Sequence, residues 1–177
     1  MKSTWLVMAL LLSVATARAQ EGAAHEKGEA AEAAKNAPAL AAAMPAAKVS
    51  LSSGLKASES EGKPISGKFE IEDGKLQLSV YTIKGDKFFE VIVDHKSGKV
   101  LKTEPITGGD DLADAKKQAE AMAKAKGSLR GVVAKAVKEN PGYKAVSVAP
   151  EIENGAAHAD VSLLKGTESK QVEEKMP

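Results

Sequence analysis

The sequence contains one short pattern twice. Residues 70–74 read EIEDG, and residues 151–155, 81 positions further along, read EIENG. In both places glutamate and isoleucine alternate up to an Asp-Gly or Asn-Gly pair, which is typical of a two-residue β-hairpin turn. A second turn follows at the same distance in each copy, beginning at Gly85 and at Gly166. A pattern that recurs over such a length indicates a duplicated unit of helices and strands.

The two turns of the first copy determine which residues share a face of the sheet. The turn at Asp73-Gly74 pairs Phe69 with Leu78, and the turn at Gly85 pairs Leu78 with Val93. Both registers, although derived independently, place the same residues on one face, so they predict an antiparallel meander with one buried side. The predicted core face consists of Phe69, Ile71, Leu76, Leu78, Val80, Phe89, Val91 and Val93. A short fourth strand with Val100 and Leu101 is expected to follow.

A helix is predicted before each meander. Residues 50–58 and 128–137 both carry apolar side chains at helical spacing, and Ser50 and Ser128 are suitable N-caps. The helices are offset by 78 residues and the strands by 81, so a small insertion separates the copies. A helix that covers one face of each meander predicts an α+β fold of two tandem, two-layer helix-on-antiparallel-sheet units.

These patterns divide the chain into five predicted segments. They are a signal peptide at 1–19, an Ala/Glu-rich linker at 20–47, a first unit at 48–107, a connecting helix at 108–127 and a second unit at 128–177. The second unit is expected to be divergent and truncated. Its third strand, SKQVEEKM, has almost no core residues, and no counterpart of the fourth strand follows it.

The first twenty residues, MKSTWLVMALLLSVATARAQ, are typical of a signal peptide. Lys2 precedes an apolar stretch at 5–14, and the small-x-small sequence at 17–19 predicts cleavage before Gln20. An uncleaved membrane anchor is the alternative, although the apolar stretch is shorter than the roughly 20 residues that span a bilayer. We therefore expect an exported protein of the bacterial envelope, periplasmic or secreted, with no stable membrane span after cleavage.

The composition excludes several classes of site. The chain has no cysteine, which excludes disulfides, thiolate metal sites and a lipid-modified cysteine. Its 25 basic and 24 acidic residues nearly balance, which argues against nucleic-acid binding. Neither an H-E-x-x-H nor a G-x-S-x-G motif surrounds any of His25, His95, His158 or the serines. The sequence thus predicts no catalytic, cofactor-binding or metal site, and a hydrolase is the least favoured hypothesis.

The predicted register leaves an apolar patch on the face of the first unit that is opposite its core. The matching positions of the second unit, such as Ser162 and Gln171, are more polar. The patch either packs against the second unit or its helix, or it forms a surface for a partner or a dimer. An exposed sheet edge that accepts an extended peptide is a second candidate surface. The predicted partner-binding residues of the patch are Tyr81, Ile83, Phe88 and Ile92.

The first unit resembles the PepSY family of exported domains. The resemblance is carried by the first helix, Gly62, the EIEDG hairpin, the strand FFEVIVD and the ending DHKSGKVL at 94–101. It covers about residues 48–104 and, more weakly, 127–176. These are hairpin and core positions, and the family has no catalytic motif to carry across. PepSY modules occur in propeptides of thermolysin-type metalloproteases, where they are thought to restrain the protease or assist its folding, and in free-standing exported or membrane proteins of unclear role.

The resemblance implies an exported, non-enzymatic binding module. Such a module would inhibit or chaperone a protease through the apolar sheet face or through a sheet edge, so the expected partner is a protein, with a peptidase as the candidate. The alternative is a structural, envelope-associated interaction protein with no protease target. No cofactor and no nucleic-acid partner are expected, and the oligomeric state is left open.

Overall fold

The computed structural model describes residues 37–176, which belong to one compact unit. The predicted signal peptide and residues 20–36 of the predicted linker lie outside the described residues. No helix within 37–176 is both long and apolar enough to cross a membrane. After helical residues at 37–43 and a 3-10 turn at Met44–Ala46, the elements are α1 (Leu51–Ser58), β1 (Lys63–Glu72), β2 (Lys75–Lys84), β3 (Lys87–Val93), β4 (Val100–Ile106), α2 (Gly109–Lys124), α3 (Leu129–Glu139), β5 (Lys144–Glu153), β6 (Ala156–Lys165) and β7 (Glu168–Lys175).

The seven strands of residues 37–176 form a single antiparallel sheet in the order β4-β3-β2-β1-β5-β6-β7. The two units meet where β1 pairs with β5, through Gly67 opposite Val148 and Lys68 opposite Ser147. The α+β class, with helices packed on antiparallel sheet, is confirmed. The structure adds that both units share one continuous sheet.

The hairpin registers predicted from the turns are those of the structure. Phe69 pairs with Leu78, and Leu78 pairs with Val93. Both residues of the first turn have positive φ, 48° at Asp73 and 73° at Gly74, as a type I′ turn requires. The equivalent turn of the second unit, at Asn154-Gly155, has the same signs. Local turn chemistry therefore sets the register of each unit.

The duplication extends to an irregularity in the sheet. The pairing of β1 with β2 shifts between Pro64 and Ser66, and the pairing of β5 with β6 shifts between Ala145 and Ser147. Ile65 and Val146, 81 positions apart, are thus equivalent bulged residues, and both are buried. A bulge bends its strand, so both units bend their first strand at the same place.

Helices α1 and α3 lie side by side on one face of the sheet, which we call the front face. Ser53 N–H donates to Ser50 Oγ at 3.1 Å and Gly131 N–H donates to Ser128 Oγ at 3.2 Å, so both predicted N-caps are confirmed. The largest fully buried hydrophobic side chains come from α1 and from both halves of the sheet. They are Leu51, Leu55, Ile65, Leu78, Val80, Val91, Val93, Val148, Val161 and Leu163.

The connecting helix α2 lies on the opposite face, which we call the back face, where it contacts β1, β2, β5 and β6. Ser66 Oγ donates to Gln118 Oε1 of this helix at 2.6 Å. The next residue, Gly67, faces α1, since a Cβ built there would lie 3.3 Å from Leu55. Buried Ala115 and Ala121 on α2 give it a small contact surface that can approach the sheet closely.

The described part of the predicted linker, residues 37–47, contains a helix and a buried side chain. Residues 37–43 are helical, and Met44 is buried at 6% exposure. Directly after the linker, the N–H groups of Lys48 and Val49 both donate to His95 O. Residues 41–44 (AAAM) match 119–122 (AEAM) at an offset of 78, the offset of α1 from α3. Alanine differs little from its neighbours in hydropathy, so these residues show no clear apolar stripe. A packed helix was therefore not predicted here. The repeat begins earlier than predicted.

Phe89 is less buried than its predicted core position implies, and Phe88 agrees with the alternative in which the patch packs within the chain. Phe88 is 8% exposed, whereas Phe89, which the register assigns to the core, is only half-buried. Phe88 pairs with Ile83 on one side and with Ile106 on the other. After β4 the chain continues into α2, which lies on the back face. The back face therefore has apolar packing of its own, which the predicted helix on the front face would not provide.

Candidate functional site

The four residues of the predicted patch do share the back face, but they do not form an open apolar surface. Phe88 is buried, and Tyr81, Ile83 and Ile92 are half-buried. Phe88 belongs to the hydrophobic core cluster. Tyr81, Ile83 and Leu112 of α2 are partly buried and pack against that cluster. The structure thus favours packing within the chain over a free partner surface at this place.

Polar groups beside the patch form a satisfied network. Ser79 Oγ donates to Glu70 Oε1 at 2.6 Å, and Lys68 Nζ lies 2.8 Å from Glu70 Oε2 and 5.8 Å from the centre of the Tyr81 ring. Burial raises the pKa of Tyr81 to about 12 and also raises the pKa of Glu90. With its charges partnered, this part of the back face has the character of a structural layer.

Asp94 stabilises the turn that follows β3. Its Oδ1 accepts hydrogen bonds from the N–H groups of Lys96 at 3.1 Å and Ser97 at 2.5 Å, which closes an Asx-type turn after β3. Hydrogen bonds from the Ser97 hydroxyl and from these N–H groups hold the pKa of Asp94 below its usual range.

Two open grooves flank the pair of front-face helices. One, of about 360 Å³, runs from the start of α1 to Val133 and Tyr143, and the other, of about 420 Å³, runs from the start of α3 to Leu55 and Gly62. The lining residues correspond between the units at the helix offset of 78 and the strand offset of 81. The grooves are therefore equivalent products of the duplication.

The sheet has two edges, and they differ. Strand β4 carries Leu101, which is 65% exposed, and also Pro105, which has no N–H to donate. Strand β7 has no proline, and it is the equivalent of β3, which pairs on both sides. Within residues 37–176, the outer backbone groups of β7 have no strand beside them. We call this the β7 edge.

A cluster of metal-ligand type lies on the back face of the second unit. Glu153 is the last residue of β5, His158 lies near the start of β6, and Glu173 lies on β7. One ligand atom from each residue lies within 4.8 Å of the others, and His158 Nδ1 is hydrogen-bonded to Glu173 Oε1. His158 is 8% exposed, whereas both glutamates are exposed. We call these three residues the His158 cluster.

Sequence reasoning missed the His158 cluster because its members come from three strands. Glu153 and His158 stand on either side of the Asn154-Gly155 turn, and Glu173 lies fifteen residues beyond His158. No short motif has this spacing. The hairpin registers alone place all three on one face, and combining those registers would have found the cluster.

Comparisons with known proteins find little. No family model matches the chain, and no curated protein matches it. One solved structure is similar to it, a "putative lipoprotein" from Clostridium difficile 630, with 11% sequence identity and a TM-score of 0.38 over 69% of this chain and 80% of that one. Similarity at this level bears on neither the function nor the location of this protein.

Proposed function

We propose that the protein is an exported, non-enzymatic binding module of the PepSY type that inhibits or chaperones a protease by taking up an extended segment at the β7 edge. One observation carries the proposal: within residues 37–176 no strand pairs with the outer side of β7, whereas its equivalent β3 is covered by β4. The signal-peptide pattern at 1–19 and the PepSY-like residues of the first unit support the export and the class of module.

An added segment would take the position that β4 occupies in the first unit. Backbone groups of β7 would supply the binding energy, and alternate side chains would supply selectivity. On one side of β7 the segment would meet Lys170 and half-buried Val172, and on the other it would meet Gln171 and Glu173. A segment that contributes an apolar residue opposite Val172, flanked by polar residues, fits this edge best.

The apolar patch is the weaker route for binding. Phe88 would have to leave its place between Ile83 and Ile106 before a partner could reach it. The β7 edge requires no such rearrangement, so the proposal places the partner there.

Inhibition and hydrogen exchange together test the proposal. The chain from Gln20 is mixed with a thermolysin-type metalloprotease, and the residual peptidase activity is measured. An inactive active-site variant of the same protease is then added while amide exchange is followed. The expected result is saturable inhibition together with slower exchange along β7 and unchanged exchange along β4. Inhibition with slower exchange in a segment other than β7 would show that the protease binds there and not at the β7 edge. The absence of inhibition would contradict the proposed action on a protease.

A structural, envelope-associated role is the second candidate. It is favoured by the burial of Phe88 within the chain, because a patch that the protein covers itself is not a recognition surface. For this role we expect no effect on the protease and an unchanged exchange pattern in its presence.

A further inference from the structure

We propose that Glu153, His158 and Glu173 form a binding site for a divalent transition-metal ion of the Zn²⁺ class on the back face of the second unit. This goes beyond the proposed binding function and does not depend on it. The starting observation is that the ligand atoms of the three residues lie within 4.8 Å of one another.

The donor set suits such an ion. Zn²⁺ binds imidazole nitrogen and carboxylate oxygen at about 2.0–2.2 Å, so tetrahedral ligand atoms lie about 3.3 Å from one another. The buried ring of His158 supplies a fixed point, and the exposed glutamates can close the remaining distance by rotating their side chains. One nitrogen and two oxygens favour a transition metal over Mg²⁺ or Ca²⁺, which prefer oxygen ligands alone.

The carboxylates around the His158 cluster give a second, independent reason to expect a bound cation. Asp160 and Glu173 stand directly opposite each other on neighbouring strands. Like charges in directly opposed positions destabilise a sheet. Gln171 Nε2 donates to Asp160 Oδ2 at 2.5 Å, which partly relieves Asp160, and Lys175 stands opposite His158. A bound divalent ion would offset the remaining negative charge.

The first unit shows that the fold does not require these residues. At the strand offset of 81, the equivalents of Glu153, His158 and Glu173 are Glu72, Gln77 and Ile92. The same backbone in the first unit therefore carries one carboxylate, one amide and one apolar side chain. The ligand set is a property of the second unit alone, and the first unit serves as an internal control.

The site would hold the metal with an open position. Three protein ligands leave at least one coordination position for water or for a group from a bound partner. His158 Nδ1 and Glu173 Oε1 are hydrogen-bonded to each other, and a bound ion would take the place of that hydrogen bond.

Titration with ZnCl₂ in a calorimeter tests the site, using the chain from Gln20. We expect one Zn²⁺ per chain and a rise in Tm with zinc concentration. Removal of an outer-shell partner lowers metal affinity by about 10–100-fold, so replacing the ligand in His158→Gln should weaken binding by at least about 100-fold. The variant places at position 158 the residue type of the equivalent position in the first unit, Gln77.

Two further variants make the test decisive. Glu153→Gln changes an exposed residue and should fold normally, and it is expected to weaken binding by at least about 10-fold. Glu72→Gln, the matched change in the first unit, should leave the affinity unchanged. Absence of zinc uptake would overturn the proposal, and so would uptake that is unchanged in both His158→Gln and Glu153→Gln. Because the measurement contains no protease, its failure says nothing about the β7 edge.

Discussion

The two units have the same backbone plan and different back faces. In the first unit, Tyr81, Phe88 and their neighbours build an internal layer of apolar and partnered polar groups. In the second unit, the equivalent strands place His158 among carboxylates. The front faces, in contrast, stay alike, with Val80 opposite Val91 and Val161 opposite Val172. The front-face core is common to both units, and the back face is where the two units differ.

One difference on the front face is compensated across the helix–sheet contact. Gly54 of α1 faces Leu78, since a Cβ at Gly54 would lie 2.5 Å from the Leu78 side chain. The equivalents in the second unit, at the two offsets, are Val132 and Ala159, and both are buried. In the first unit the helix residue is small and the strand residue is large, and in the second unit the sizes are reversed. The exchange preserves the combined side-chain volume at this contact, so Gly54 in α1 matches the large Leu78 beneath it.

The largest effect is expected from the back face of the first unit. Phe88→Ala should lower the free energy of unfolding by about 3–5 kcal/mol, because the ring is buried and its loss leaves a cavity. Ser169→Ala, at the equivalent and exposed position of β7, should change it by less than about 0.5 kcal/mol. Urea denaturation measures both. Similar losses in the two variants would mean that the back faces do not differ as described.

The compensated contact gives the next largest effect. Leu78→Ala should cost about 2–5 kcal/mol, and adding Gly54→Val should recover part of that loss, since the pair then matches Val132 and Ala159. Gly54→Val alone should destabilise the protein by overpacking, by about 1–3 kcal/mol. A double-mutant cycle from denaturation curves gives the coupling. Strictly additive effects would contradict direct packing between the two sites.

A smaller effect should appear in the pH dependence of stability. Burial raises the pKa of Glu90, so the folded protein holds that proton at a pH at which the unfolded chain has released it. The contribution of Glu90 to the free energy of unfolding therefore falls as the pH rises from 4.5, the usual value, through the raised pKa. Glu90→Gln, which installs the second-unit residue Gln171, should remove this decline. Parallel stability curves for variant and wild type between pH 4 and pH 7 would contradict it.

The sequence allowed the strands, turns and registers to be predicted because their chemistry is local. Asp73-Gly74 and Asn154-Gly155 each specify a turn without reference to the rest of the chain. The union of the two sheets was not predictable, since it depends on contacts between residues that are far apart in sequence, such as Gly67 and Val148. The sequence left the burial of Phe88 open, because the burial depends on its neighbours Ile83 and Ile106 and on what covers the back face.

The candidate sites also differ in whether local sequence or contacts between distant residues determine them. The edge strands could be anticipated from the meander pattern, although the sequence did not distinguish β7 from β4. The His158 cluster required two hairpin registers to be combined across three strands, and no single motif encodes it. A search of hairpin proteins for ligand residues that share a face would recover clusters of this type.

The seam between β1 and β5 pairs Gly67 with Val148, which are equivalent residues of the two units. A residue that pairs with its own equivalent marks a local two-fold axis, as in the isologous contact of a symmetric homodimer. The chain is in this respect a dimer whose subunits are covalently joined. Joining the subunits keeps them at high effective concentration and also frees them from having to be identical. A mutation in a true homodimer would appear in both halves, whereas here one half can acquire a new surface while the other maintains the core.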